Sequence, residues 1–449
     1  MDQLVNFLAR HPHIHYSTLS SPDFDNLRRG YVINDTIPAM VVRPRSGADV
    51  ASLVSVLKAN DLPFSIRVGG HDMFGRFQVK DAITIDLREI HYIHVDRDSQ
   101  TARIGGGVLV KDLLQELDQH GMVVPHPVIS SVGFVGWATH GGYGLLSAEY
   151  GMGADQILQA KLVDANAVVR DADEDMLTAI RGGGGTLGVI VELTIKVYPL
   201  SQILAGFIIY DSTDLSTTIK RYNDAYRRQT EEGFPKELNT FQSVINSSGS
   251  KVLAVLFVWA SSNLKEGQKW ISKLLAWSPV ATSTVLPTTM SAFNESTKTI
   301  VPTMVYGRSL TISLRDLTSE VVDVMSKHAI LQPNSPATMF GMHELRACAP
   351  QPSLSTVIDT RCHHFVLELL PTVQDVALLN AALVWAHGFY DALLRTDSAN
   401  ILTSTYLPLT EPSKVNMKGI YGEKFETLKR IKRQYDPDNV FKLALVQVR

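Results

Sequence analysis

Two stretches of this chain place reactive side chains where ordinary structure has little use for them. The first is Arg67-Val-Gly-Gly-His-Asp-Met-Phe-Gly75, in which three glycines surround one histidine. Glycine lets the backbone turn at positive φ and bares main-chain N–H groups to a ligand. A histidine fixed in such a loop lies against whatever the loop holds; the plainer alternative is a tight turn with His71 incidental to it. The second is His364-Phe-Val-Leu-Glu-Leu-Leu370, whose alternation predicts a strand. At period two, Phe365, Leu367 and Leu369 share one face, and His364, Val366 and Glu368 the other. A mid-strand carboxylate is costly to bury without a task, so Glu368 is a candidate general acid or base. The competing reading is a buried ion pair with Arg308 or Arg361. On a neighbouring strand His343 and Glu344 point to opposite faces, so at most one faces the site; His343 is the candidate kept.

Two more glycine-rich stretches follow the first. Ser130-Ser-Val-Gly-Phe-Val-Gly-Trp-Ala-Thr-His-Gly-Gly-Tyr-Gly144 reads as a long segment lying against an extended polar ligand, with main-chain donors suited to a pyrophosphate. Its glycines are too dispersed for the compact G-x-G-x-x-G of a Rossmann strand–helix turn, and it has no Walker lysine. Gly182-Gly-Gly-Gly185 is the third. Together the three suggest one large cofactor wrapped by loops.

The elements that must carry these loops divide in two. At 449 residues, two domains are the natural expectation. Residues 1–40 look irregular, and His13 and His15 have no carboxylate beside them in sequence. From Val41 on, Val50, Leu53, Val54 and Leu57 mark one helix face, with Asp49 in front as cap. Strands are expected at 82–87, 92–95, 101–104, 156–164, 167–170 and 187–197, and helices at 111–120 and 174–181. After Pro199 the texture changes. Helices at 215–229, 264–277, 319–330 and 373–394 alternate with strands at 252–259, 306–314, 338–344 and 364–370. This predicts an α+β protein whose second domain is an antiparallel sheet covered by helices on one face, the other face meeting the cofactor domain. The expected bounds are 1–200, 201–404, and a segment 405–449 of different style.

Composition narrows the function classes. With 45% hydrophobic and 19% charged residues the chain reads as globular, and a net charge of −3 makes no electrostatic case for nucleic acid or an anionic membrane. Two cysteines, Cys348 and Cys362, support neither a disulfide framework nor a Cys-rich metal site. No signal peptide or membrane span is read, which makes a cytoplasmic location the expectation.

The motifs above, together with Tyr150-Gly-Met-Gly-Ala-Asp155, Arg181-Gly-Gly-Gly-Gly-Thr-Leu-Gly-Val189 and Tyr435-Asp-Pro-Asp-Asn-Val-Phe441, resemble those of the FAD-linked oxidases. The likeness is to the vanillyl-alcohol-oxidase, or PCMH-type, FAD-binding fold in its berberine-bridge-enzyme-like branch, and it covers nearly the whole chain in order. It implies FAD cradled by Arg67, Val68, Gly69, Gly70, Asp72, Gly75, Ser131, Val132, Gly133, Gly136, His140, Gly141, Gly142, Gly144, Asp155, Val189 and Asn439, with His71 bonded to the flavin 8α-methyl. The second, cysteinyl bond of many members falls at Ile129 here, so a single covalent link is expected, with neither Cys348 nor Cys362 standing in. The resemblance also places Glu368 where some members keep their base, and Tyr406 on the substrate pocket wall; Thr403 replaces a second tyrosine there. The implied activity is oxidation of a small organic molecule with O2 as acceptor and H2O2 as product. The alternative is an isomerase or cyclase using Glu368 as acid or base in the same pocket. No metal is expected, and the oligomeric state is left open.

Overall fold

The computed structural model describes residues 1–449 apart from 248, 300, 301, 303, 347–353 and 449. Cys348 therefore lies outside the described residues.

The first half is built on two sheets with a helix between them. Strands His15–Ser17, Met40–Arg43, Ile83–Asp86 and Phe64–Arg67 lie in that order across a mixed sheet. The 83–86 strand runs parallel to both of its neighbours, and helix Gly47–Ala59 crosses from one of those neighbours to the other. The helix buries Val50, Leu53, Val54 and Leu57 as their spacing requires. Its cap is Ser46, not Asp49. Ser46 Oγ accepts the Asp49 N–H, and the Asp49 carboxylate reaches back to the Arg45 N–H, satisfying donors that a helix start leaves open. An antiparallel sheet of strands Ile93–Asp96, Thr101–Gly105, Val189–Lys196, Ile157–Val163 and Val169–Asp171 follows. Val163, Val189 and Val191 of this sheet close one core with the 47–59 helix.

The first forty residues are more ordered than their sequence suggests. Helix Asp2–Arg10 buries Leu4, Phe7 and Leu8 in that same core, and a short helix spans Phe24–Arg28. His13 and His15 do meet carboxylates in space, each 2.9 Å from one: Asp49 and Asp23. Both pairs are exposed, and no group of three or more metal-ligating side chains occurs among the described residues.

The second half forms an eight-stranded sheet in which every pairing is antiparallel. Helices Leu215–Glu232, Leu264–Leu275, Ser319–Leu331 and Leu379–Leu394 cover one face. Phe365, Leu367 and Leu369 turn to that side, packing with Tyr222, Tyr226, Trp385 and Phe389. The opposite face joins the first half: Ala205, Leu256 and Val258 share a core with Phe134, Trp137 and Leu193. Helix Leu379–Leu394 starts later than expected, a 3-10 turn taking Val376–Leu378, and the strand expected at 306–314 keeps only Leu310–Leu314. The span Val376–Leu394 is long and apolar enough to cross a membrane by length and composition. It spends Ala382, Trp385, Ala386, Phe389 and Leu393 on the core beneath the sheet, while Val384 stays exposed. The tail, with helix Lys424–Tyr435, returns to the first half, where Tyr421, Leu428 and Ile431 pack on Leu162, Met176 and Leu187.

Candidate active site

Strand Phe64–Arg67 delivers the first glycine loop. The Asp72 carboxylate accepts from the Phe74 and Arg76 N–H groups and from Arg76 Nε at 2.7 Å, so the loop folds on itself. The Arg76 guanidinium also donates to the carbonyls of Leu407 and Pro408, clamping the segment that carries Tyr406. Arg67 is buried and grips the carbonyls of Leu27 and Arg29. The second loop presses against the first. A Cβ on Gly69 would fall 2.3 Å from the nitrogen of Gly133, so glycine alone permits the contact. Across it the His71 Nε2 lies 2.8 Å from Ser131 Oγ, and the Tyr31 ring stacks on the imidazole at 4.8 Å. Burial, followed by the Arg67 charge, pulls the His71 pKa down to about 4.

The eight-stranded sheet of the second half presents its face to this loop. Register puts Glu368 between Thr311 and Gly341, with His343 diagonally across on the same face. His343 Nε2 is 3.0 Å from Glu368 Oε2. The carboxylate is 8% exposed, so this partner matters more than a surface pair would. Neither arginine considered from the sequence reaches it: Arg308 sits near Glu411 and Arg361 pairs with Asp155. Glu344 turns the other way, to Arg346 and His363. Phe241 meets the His343 ring edge to face at 4.9 Å, in space that a Cβ on Gly341 would invade. The charge of Glu368 reaches the first half as well. It adds to burial in raising Tyr31 to about 12 and also lifts the Tyr406 phenol, which burial raises most.

Tyr406 stacks on Tyr143 at 4.5 Å. The Tyr143 hydroxyl lies 3.1 Å from His364 Nε2, while His364 Nδ1–H donates to the Cys362 carbonyl. This fixes Nε2 as the acceptor. The buried Tyr406 oxygen has the N–H groups of Gly142 and Tyr143 nearby, yet none meets hydrogen-bond geometry. His140 donates from Nδ1 to the Gly136 carbonyl, and its buried Nε2 has no partner. Burial lowers its pKa, with the Arg76 charge adding to the effect, and Nε2 lies against Gly184, where a Cβ would fall 2.2 Å from it.

Three of the expected cofactor residues have partners within the protein. Asp155 is spent on the Met152 N–H and on Arg361 at 2.7 Å. Val189 is strand core, and Asn439 holds a positive-φ turn in the tail, its N–H on the Asp436 carbonyl. The third glycine cluster is packing too: Cβ atoms on Gly182, Gly183 and Gly184 would strike or crowd Ile358, Leu428 and His140. Tyr31, Tyr143 and Phe241 were not anticipated. The tyrosine inside Gly142-Tyr-Gly144 was the available signal for Tyr143; Tyr31 lies in a stretch without periodicity and offered none.

Comparison with known proteins decides the family. The FAD binding domain model matches residues 38–173, and the berberine and berberine-like model matches 415–445. Over 446 residues the chain is 31% identical to the FAD-linked oxidoreductase aurO of Gibberella zeae, covering 96% of this chain and 85% of that one. The chain belongs to the berberine-bridge-enzyme-like FAD-linked oxidoreductases. Among solved structures it resembles 6-hydroxy-D-nicotine oxidase from Arthrobacter nicotinovorans, with a TM-score of 0.83 at 22% identity over 96% of this chain and 97% of that one. It also resembles glucooligosaccharide oxidase from Acremonium strictum, described with a 6-S-cysteinyl, 8α-N1-histidyl FAD, at TM-score 0.80 and 17% identity over 97% of each chain. These two likenesses establish the fold. This FAD-linked oxidoreductase binds FAD and oxidises small organic molecules. Its residues fit the cofactor: His140 Nε2 is a buried acceptor without a partner, nothing lies within 4 Å of where a Gly136 Cβ would project, and His71 Nδ1 has no partner among the described residues.

Proposed function

We propose that this oxidoreductase holds FAD by a single covalent bond at His71 and uses Glu368, paired with His343, to manage the substrate proton, with dioxygen as electron acceptor and H2O2 as product. The substrate class supported is a small molecule with an oxidisable C–H beside nitrogen or oxygen. The observation carrying the reading is the Glu368–His343 pair on the sheet face whose charge reaches Tyr31, the ring stacked on His71.

When bound, FAD supplies the hydride acceptor. The chain's own part is orientation and one proton. Glu368 accepts an O–H or N–H proton as the substrate is oxidised, and His343, more exposed than its partner, hands it toward solvent. The Tyr143–Tyr406 stack forms a wall, and the Tyr406 phenol stays protonated because burial disfavours its phenolate. Ile129 stands where a second bond would need sulfur, and Cys362 is an exposed free thiol just before the strand that carries Glu368.

The test is a denaturing gel of purified protein read for flavin fluorescence, beside His71→Ala, with a peroxide assay over a panel of small amines and alcohols. A fluorescent band lost in the variant, and substrate-dependent peroxide, are expected. Turnover of a substrate without peroxide would instead select the isomerase or cyclase alternative.

A further inference from the structure

We propose that Ser131 and Tyr31 are positioning residues that aim the His71 imidazole, through Nδ1, at the flavin 8α-methyl group; this rests on the covalent reading above. The ring is held on two sides. Ser131 Oγ lies 2.8 Å from Nε2, and the Tyr31 ring stacks on the imidazole with only 20° between the planes. Tyr31 is itself pinned by the backbone: its N–H donates to the Gly70 carbonyl, and its carbonyl accepts from the Val305 N–H, both at 2.9 Å. Ser131 is exposed, and this is its hydroxyl's one hydrogen bond among the described residues. A side chain with no burial and no other bond has little structural work there.

A neutral imidazole has one N–H, and the partner of one nitrogen decides which keeps the lone pair. In the tautomer whose Nε2–H donates to Ser131 Oγ, the one the attachment requires, the lone pair is on Nδ1. Burial and Arg67 keep the ring neutral at ordinary pH. In the step that follows, the Nδ1–C8α bond forms while one methyl C–H and the Nε2–H are lost. The two electrons released reduce the bound FAD. Dioxygen then removes them, taking up both protons to leave as H2O2. The alkylated ring now has its lone pair on Nε2, so the Ser131 hydroxyl turns from acceptor to donor without moving. A hydroxyl can do both; an alanine can do neither.

The experiment uses full-length protein from riboflavin-limited cells, incubated in air with FAD. Samples are denatured over time and the fluorescence of the protein band is read, with thermal unfolding of each variant as the folding control. Wild type, Ser131→Thr and Tyr31→Phe are expected to label alike. Ser131→Ala and Tyr31→Leu are expected to be slower by ~10-fold or more, the size of one lost oriented contact, while still taking up FAD non-covalently. A fluorescent wild-type band with Ser131→Ala and Tyr31→Leu labelled at the same rate overturns this proposal and leaves the covalent reading intact. Ser131→Thr as slow as Ser131→Ala also overturns it, because the hydroxyl is then not the cause. A wild-type band that stays dark overturns both.

Discussion

Glu368 stood out as a buried carboxylate because its neighbours in the strand obey a period and it breaks the apolar expectation for a buried position. Its partner did not, because pairing across strands depends on register, which a lone sequence does not reveal; two arginines looked suitable and a histidine holds the place. Glu368→Gln is expected to lower kcat/KM by about 10²–10⁴ while leaving the fluorescence of the denatured band unchanged, so steady-state rates and the gel together separate chemistry from cofactor attachment. Gly341→Ala tests the support beneath the pair. The new methyl would meet the Phe241 ring at 2.5 Å and unseat the brace on His343. A destabilisation of about 1–3 kcal/mol is expected from overpacking, read as a lower Tm. A third residue sets acid tolerance. His126 is fully buried, its Nδ1–H donates to the Pro127 carbonyl, and burial takes its pKa down to about 4. The unfolded chain, with an ordinary histidine near 6.5, then binds the extra proton between pH 6.5 and 4. This contribution is complete above 6.5 and falls as pH drops, by about 3 kcal/mol at pH 4. Denaturant unfolding from pH 7 to pH 4 should show that slope, and His126→Gln should flatten it by about one proton.

At the scale of elements, strand His364–Leu370 falls where alternation put it, and helix 47–59 shows the apolar face its spacing announced. The misses have common causes. Ser46 was passed over because the capping serine lies three residues before the acid that completes the box. Helix Asp2–Arg10 went unread because nine residues hold only about two turns of pattern, and its stability comes from the core it docks on. Glycine runs are ambiguous signals in the third cluster, where close packing and ligand contact call for the same residue. Ser46→Ala should cost about 1 kcal/mol, visible as a small drop in Tm with flavin content intact. Arg76→Ala removes the tie from the His71 loop to the carbonyls of Leu407 and Pro408. We expect it to raise KM for the substrate more than it lowers kcat, since it frees the Tyr406 wall and leaves Glu368 in place; steady-state kinetics on whichever substrate yields peroxide decides this.

For the whole molecule, the α+β class and the one-sided helical cover were readable because amphipathic strands and helices alternate after Pro199. The sheet's uncovered face had to find a partner, and it packs on the first half. What a linear reading does not convey is how the first half is completed. Its core takes Tyr421, Leu428 and Ile431 from helix Lys424–Tyr435 and the turn before it, while Lys432 reaches the carbonyl of Thr186 and pairs with Asp436. During synthesis, then, the segment bearing His71 leaves the ribosome several hundred residues before the side chains that fill its own floor. The usual order, in which an N-terminal unit folds while the rest is still being made, leaves this part of the core to the end. Leu162, Met176 and Leu187 therefore go without these partners until the C-terminal helix has emerged, and that patch is where a chaperone is expected to bind during translation.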